Sequence, residues 1–191
     1  MRLFVALDLP AAVRQRIADE VVEPLRQELR GVRWVQTDVL HVTLAFLGER
    51  SAREADEART AVRELADGRA AARVTLQGLG VFPEKERPRV IWLGVRDPAP
   101  VRELHRAFER SRARLGVPAE GRAYHPHVTL GRVPPPAEAD VRQALAPALA
   151  AVQFEARVTL DAVHLMQSEL TPAGPRYTTL YSAQLARPEE H

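Results

Sequence analysis

Hydrophobic and polar positions along this chain switch between two periods. Residues 3–9, 40–47, 73–79, 89–95, 125–130 and 154–166 are rich in Val, Leu, Ile, Phe and Thr, with alternating or continuous apolar character, and predict strands. Residues 10–29, 52–65, 100–115 and 137–149 carry Ala, Arg, Glu and Leu at three- and four-residue spacings. They predict surface helices with one buried stripe. Gly31, Gly68 and Gly116 stand where helix C-caps are expected. Each half then reads strand–helix–strand–helix–strand, and a last strand lies near residues 177–185.

The same pattern is duplicated. Val-Thr-Leu occurs at 42–44, 74–76, 128–130 and 158–160, preceded in turn by His41, Arg73, His127 and Arg157. The charged segment Pro83-Glu84-Lys85-Glu86-Arg87-Pro88 is a turn that marks the junction of the halves. Pro134-Pro135-Pro136 is a rigid connector into the next helix. Neither is long enough to be a flexible linker. The expectation is an α+β fold: a single bilobal domain over 1–191, with repeats of roughly 1–84 and 85–185 and a chain free to cross between lobes. Each lobe would hold an antiparallel sheet with outer helices, and the two would flank a central cleft.

Composition changes this picture in three respects. The 191 residues are 46% hydrophobic and 27% charged, as in a globular protein, which excludes a disordered or fibrous chain. The absence of cysteine excludes disulfides, thiolate metal sites and a cysteine nucleophile. No apolar run reaches the length of a transmembrane helix, and Asp8 interrupts the short N-terminal one, so a cytoplasmic protein is expected. Net charge is only +2, yet Lys85 is the only lysine. Such an arginine bias suits a phosphate-bearing ligand, and equally follows from a GC-rich coding sequence.

The candidate chemistry lies in the two His-Val-Thr-Leu copies. Strand parity puts His41 and Thr43 on one face, with Val42, Leu44 and Phe46 on the other, toward the core. It likewise pairs His127 with Thr129 and sets Val128 and Leu130 opposite. Lobes facing across a cleft would gather two imidazoles and two hydroxyls around one pocket. One imidazole can take a proton from water while the other gives one to a leaving oxygen. The threonines can donate to phosphate oxygens. Arg132 is a further cationic donor if a bulge at Gly131 turns it inward, and the first half has no matching arginine.

Other residues carry weaker signals. Tyr124 and His125 suit the cleft entrance, where an aromatic ring stacks on a base. Phe4 suits either base stacking or core packing. His105 reads as a surface or boundary residue, His164 needs no function, and Trp34 and Trp92 suit the cleft as aromatics but read first as packing. His125 and His127 with His41 supply three nitrogens, so a metal-dependent hydrolase stays open, as does a non-catalytic RNA-end or nucleotide-binding module. The tail 187–191 is expected to be mobile.

At these residues the chain resembles the two-histidine phosphoesterases and, within them, the RNA 2′,3′-cyclic phosphodiesterase family, long labelled 2′-5′ RNA ligase. The resemblance runs through Arg2-Leu3-Phe4-Val5-Ala6-Leu7, Arg33-Trp34-Val35, Leu40-His41-Val42-Thr43-Leu44-Ala45-Phe46-Leu47-Gly48, Gly78-Leu79-Gly80-Val81-Phe82-Pro83, Pro88-Arg89-Val90-Ile91-Trp92, Pro126-His127-Val128-Thr129-Leu130-Gly131-Arg132, Ser168-Glu169-Leu170 and Gly174-Pro175-Arg176-Tyr177. It implies two lobes about a cleft and hydrolysis of an RNA-terminal 2′,3′-cyclic phosphate to a 2′-phosphate, without metal or nucleotide cofactor. It implies His41 as acid, His127 as base, and Thr43, Thr129 and Arg132 as phosphate holders. It also implies a minor reverse 2′-5′ ligation. The expected partners are RNA 3′ ends or small nucleotides bearing the cyclic phosphate, met by a monomer that binds no membrane.

Overall fold

The computed structural model describes residues 1–118, 120–171 and 174–186; the 187–191 tail lies outside the described residues. Among the described residues, nine strands form one antiparallel sheet: β1 (Arg2–Asp8), β2 (Arg33–Trp34), β3 (His41–Glu49), β4 (Ala72–Glu84), β5 (Arg87–Arg96), β6 (His127–Arg132), β7 (Glu155–Leu160), β8 (Ala162–Thr171) and β9 (Gly174–Gln184). Their order is β7-β4-β5-β6-β3-β1-β8-β9, with β2 added on β6. No helix within the described residues is long and apolar enough to cross a membrane.

Position in the sheet explains the patterning. β1 lies between β3 and β8 and is buried from Leu3 through Leu7, so it shows a continuous apolar run. Edge strand β7 alternates instead, with Ala156, Val158 and Leu160 buried and Glu155, Arg157 and Thr159 exposed. Residues 154–166, expected as one strand, are two. β7 pairs with β4 and β8 with β1, so the chain changes lobe at Asp161. The apolar run gives no sign of the break, because both pieces bury their Val and Leu against the same core.

The helices cover one face. α1 (Ala11–Ile17) passes through a π-helical turn (Ala18–Val22) into α2 (Glu23–Glu28). Pro24 has no amide to offer the preceding turn, which accounts for the wider winding there. α3 (Ala52–Ala66) starts in a capping box between Ser51 and Glu54 and buries Ala55, Ala58, Ala61, Val62 and Leu65. Those hydrogen bonds hold the Glu54 carboxyl down to about 2. α3 packs on β8 and β9, α4 (Ala99–Arg112) on β3, and α5 (Glu138–Ala151) on β5 and α2. Gly31, Gly68 and Gly116 all take positive φ beyond helix ends.

The sheet order reads as two sets of four strands about its centre, β6-β5-β4-β7 and β3-β1-β8-β9. At the centre β3 and β6 are matched at Val42 and Val128, so the two His-Val-Thr-Leu copies meet at their valines. The Arg-Val-Thr-Leu copies meet in the same manner, Val74 opposite Val158, but both lie within the β6-β5-β4-β7 set. They are neighbours, whereas the symmetry places β8 opposite β4.

Both histidine strands carry a bulge at the leucine of the motif. On β3 the register with β1 slips between Ala6–Thr43 and Val5–Ala45, leaving Leu44 extra. On β6 the register with β5 slips between Trp92–Thr129 and Ile91–Gly131, leaving Leu130 extra. Each slip reverses parity beyond it. Leu44, Ala45 and Leu47 are therefore all buried on the helix face, and Phe46 emerges on the histidine face at 57% exposure. This corrects the expectation that Phe46 points to the core. Strict alternation would turn Leu44 or Leu47 outward, each forfeiting roughly 1.5–3 kcal/mol of burial.

Candidate active site

The bulge on β6 brings Arg132 to the face of His127 and Thr129, as expected, although the extra residue is Leu130 rather than Gly131. The charge of Arg132 acts on both imidazoles and on the Tyr177 phenol. Equivalence of the two strands sets Phe46 where the other lobe has Arg132, five residues after each histidine. The missing arginine of the first half is thus an exposed aromatic ring.

The two histidines are anchored alike. Nδ1 of His41 donates to the Val39 carbonyl at 2.7 Å, and Nδ1 of His127 donates to the His125 carbonyl at 2.7 Å. A carbonyl only accepts, so each contact places the proton on Nδ1 and leaves the Nε2 lone pair available. Nε2 of His41 lies 3.2 Å from Oγ1 of Thr43, whose hydroxyl donates to it in the neutral ring. Burial lowers both imidazoles below their ordinary range; the backbone hydrogen bonds oppose this. Smaller charge effects differ between them. Asp8, opposite His41 in the β1–β3 ladder, raises His41, while Arg132 lowers both rings, joined by His127 at His41 and by His125 at His127.

Aromatic walls stand beside each histidine. Phe4, Phe46 and Tyr177 form one: Phe4 lies 5.1 Å from the His41 ring, 6.2 Å from Phe46 and 5.2 Å from Tyr177. Phe4 is 3% exposed, so it backs the wall, and Phe46 presents the open surface. Phe82, Trp92 and His125 form the other, with Phe82 5.0 Å and Trp92 6.3 Å from the His127 ring. Trp92, for which packing was preferred over a place in the cleft, is half-buried on this face and lies over Gly80, where any Cβ would overlap its ring. Trp34 does pack, against the core on the opposite face. Thr129 is half-buried opposite Trp92.

Tyr124 sits elsewhere than at the cleft entrance. Its ring stacks on His105 at 3.9 Å and its hydroxyl donates to the Thr43 carbonyl at 2.8 Å, while burial pushes that hydroxyl up out of the titrating range. His105, expected at the surface or boundary, is half-buried and donates from Nδ1 to the Leu44 carbonyl at 2.9 Å. These two side chains hold the bulge of β3. On β6 the Leu130 carbonyl is taken by the Val35 amide at 2.8 Å. Nδ1 of His164 is hydrogen-bonded with the Ser182 hydroxyl at 2.8 Å, beside Ala6 in the ladder. Sequence parity missed Phe46 and His105; the signal available for Phe46 was its spacing from His41, equal to that of Arg132 from His127.

Among the described residues, no group of three or more His, Cys, Asp or Glu is arranged to hold a metal ion. The donors gathered here are two imidazoles, two hydroxyls and a guanidinium, a set suited to an anion that exchanges protons at both ends.

The chain belongs to the 2′-5′ RNA ligase superfamily, a family of two-histidine phosphoesterases, which it matches over residues 5–172. It is 33% identical over 180 residues to the RNA 2′,3′-cyclic phosphodiesterase of Methanothermobacter thermautotrophicus, across 94% of this chain and 96% of that one. The crystal structure of TT0787 of Thermus thermophilus superposes with a TM-score of 0.77 at 33% identity, covering 97% of this chain and 98% of the other. That of E. coli LigT complexed with 3′-AMP gives 0.75 at 29% identity, covering 96% and 97%.

Proposed function

We propose that this protein is an RNA 2′,3′-cyclic phosphodiesterase that uses one bilobal domain and two histidines, without a metal. The identical anchoring of His41 and His127 carries this reading: both offer Nε2 at one cleft that Arg132 also serves. The curated relative named for that activity aligns over nearly the whole chain. The LigT structure with 3′-AMP has an adenine nucleotide bound to a protein of this fold.

In this mechanism Nε2 of His127 takes a proton from water as its oxygen attacks phosphorus. The bond from phosphorus to the ribose 3′ oxygen breaks, and protonated His41 gives that oxygen its proton. The product carries a 2′-phosphate and a free 3′-hydroxyl. Thr43, Thr129 and Arg132 hold the non-bridging oxygens, whose negative charge grows in the five-coordinate state. The carboxylate of Asp8 opposite His41 favours the protonated form of that ring, and so this division of roles. The aromatic walls suit a nucleobase on Phe46 and, on the other side, His125 and Trp92. 2′-5′ joining would use the same proton transfers with a 5′-hydroxyl in place of water: His127 takes the hydroxyl proton, the bond from phosphorus to the 3′ oxygen breaks, and His41 protonates that oxygen.

Hydrolysis of a 2′,3′-cyclic nucleotide in the presence of chelator tests this reading. A 2′-phosphate product, lost in His41→Ala and His127→Ala, is expected. Dependence on added divalent ions would favour a metal hydrolase, and binding without turnover a recognition module.

A further inference from the structure

β2 is two residues long, yet it sets a second guanidinium beside the first. Arg33 pairs directly with Arg132 and Trp34 with Gly131. Directly opposed residues of an antiparallel pair share a face, their Cβ atoms about 4.5–5.5 Å apart. Trp34 and Val32 press against Gly131 on the helix face, where the glycine's missing Cβ would collide with both. That packing fixes the parity of the strand and turns Arg33 to the cleft face. Both arginines are exposed, and among the described residues neither meets a carboxylate. Like charges placed opposite one another destabilise a ladder, and nothing within this one offsets them.

The other lobe is the reverse. In place of Arg132 stands Phe46, whose amide donates to Oε1 of Glu120 at 3.4 Å. The cleft is therefore polar in its charge. One rim presents two cations outside any ion pair among the described residues, the other an aromatic ring beside Glu120, whose carboxylate is paired with Arg112 at 3.2 Å. An extended polyanion is drawn along the first rim, where the two guanidinium charges stand side by side.

We infer that Arg33 is a second phosphate-binding residue, which holds the phosphodiester adjoining the terminal cyclic phosphate. The inference rests on the proposed cyclic phosphodiesterase activity, with Arg132 on the reacting phosphate. It makes the enzyme prefer an oligoribonucleotide end to a cyclic mononucleotide that has no other phosphate.

The test compares 2′,3′-cyclic AMP, a diadenosine monophosphate ending in a 2′,3′-cyclic phosphate, and 2′,3′-cyclic AMP bearing a 5′-phosphate. Wild type should favour the dinucleotide, and Arg33→Gln should cut that preference in kcat/KM about tenfold, the loss lying in KM. The slope of log kcat/KM against log salt for the dinucleotide should become shallower by about one unit. Arg33→Lys should restore most of the preference, and the melting temperature of Arg33→Gln should not fall, because a like-charge contact is removed. Equal loss on all three substrates, or no loss on the dinucleotide, would overturn the inference. If only the 5′-phosphorylated mononucleotide responds, Arg33 reads a terminal phosphate and the phosphodiester assignment is wrong. Should wild type hydrolyse none of them, the parent activity fails rather than the role of Arg33 alone.

Discussion

Nδ1 of His105, on α4, lies 2.9 Å from the carbonyl of Leu44, the residue at which β3 departs from its register with β1. Tyr124 stacks on the same imidazole and takes the neighbouring carbonyl, that of Thr43. A bulge leaves ladder groups without strand partners, and a buried acceptor left unpaired costs roughly 1–3 kcal/mol. This pair supplies the missing donors, and so fixes the point at which Thr43 faces the cleft and Phe46 joins it.

His105→Leu should therefore lower stability by about 1–3 kcal/mol and kcat by more than it alters KM. His105→Asn, which keeps a donor near the Nδ1 position, should recover much of kcat. Urea unfolding beside steady-state kinetics decides the matter. Full activity in the leucine variant would mean that the bulge holds without its clamp.

Replacing either His41 or His127 by alanine should reduce kcat by ~10²–10⁴-fold, the range of a lost general acid or base. The double variant should fall less than the product of the single losses, because the two groups act in one step. Single-turnover hydrolysis, with circular dichroism to verify folding, measures both.

Burial lowers His41, His127 and His164 in the folded chain. Such groups hold fewer protons folded than unfolded once the pH drops below the ordinary imidazole value of about 6.5. Their contribution to stability is thus complete above that value and declines as the pH falls through it. Melting temperature should drop on acidification from about pH 7, and less so in a His164→Gln variant. For catalysis, the bell of kcat/KM should centre below about 6.5, since both imidazoles of the free enzyme titrate low. The kcat profile should lie further alkaline, because the bound phosphate anion favours protonated histidine.

Phe46→Ala should leave stability within about 0.5 kcal/mol, as the ring is exposed. It should weaken nucleotide binding by roughly 1–3 kcal/mol, the range for one base stacked on one ring. Isothermal titration with a 2′-phosphorylated nucleotide and with ribose 2-phosphate, which lacks a base, separates stacking from phosphate contacts.

Gly80→Ala would drive a methyl into the Trp92 ring. A stability loss of about 1–3 kcal/mol is expected from the overpacking, with Trp92 fluorescence displaced and KM raised. Unchanged fluorescence would show that β4 moves instead of the indole.

Much of this arrangement was legible before any coordinates. Helices and strands followed from period, and the repeated His-Val-Thr-Leu marked both catalytic candidates. The strand parity that failed did so at Leu44, because an inserted residue leaves no compositional mark; a leucine at a bulge looks like a leucine in a ladder. Phe46 was misplaced for that reason alone. The tetrapeptides starting at Arg73 and Arg157 suggested a duplicated half, yet β4 and β7 lie side by side because strand order depends on crossovers that local sequence does not encode. The role of His105 does not show in the sequence, since its partner is a backbone carbonyl, which no side-chain motif reveals.

The match of Val42 to Val128 has a consequence for how this enzyme could be tuned. Neighbouring strands are rotated by about 20–25° as a matter of course. His41 and His127, the proposed acid and base, stand on two strands matched at that one pair. Their separation is therefore a function of local twist, and methyl groups at positions 42 and 128, buried in the core, act as an adjusting screw on the distance that a proton relay must span.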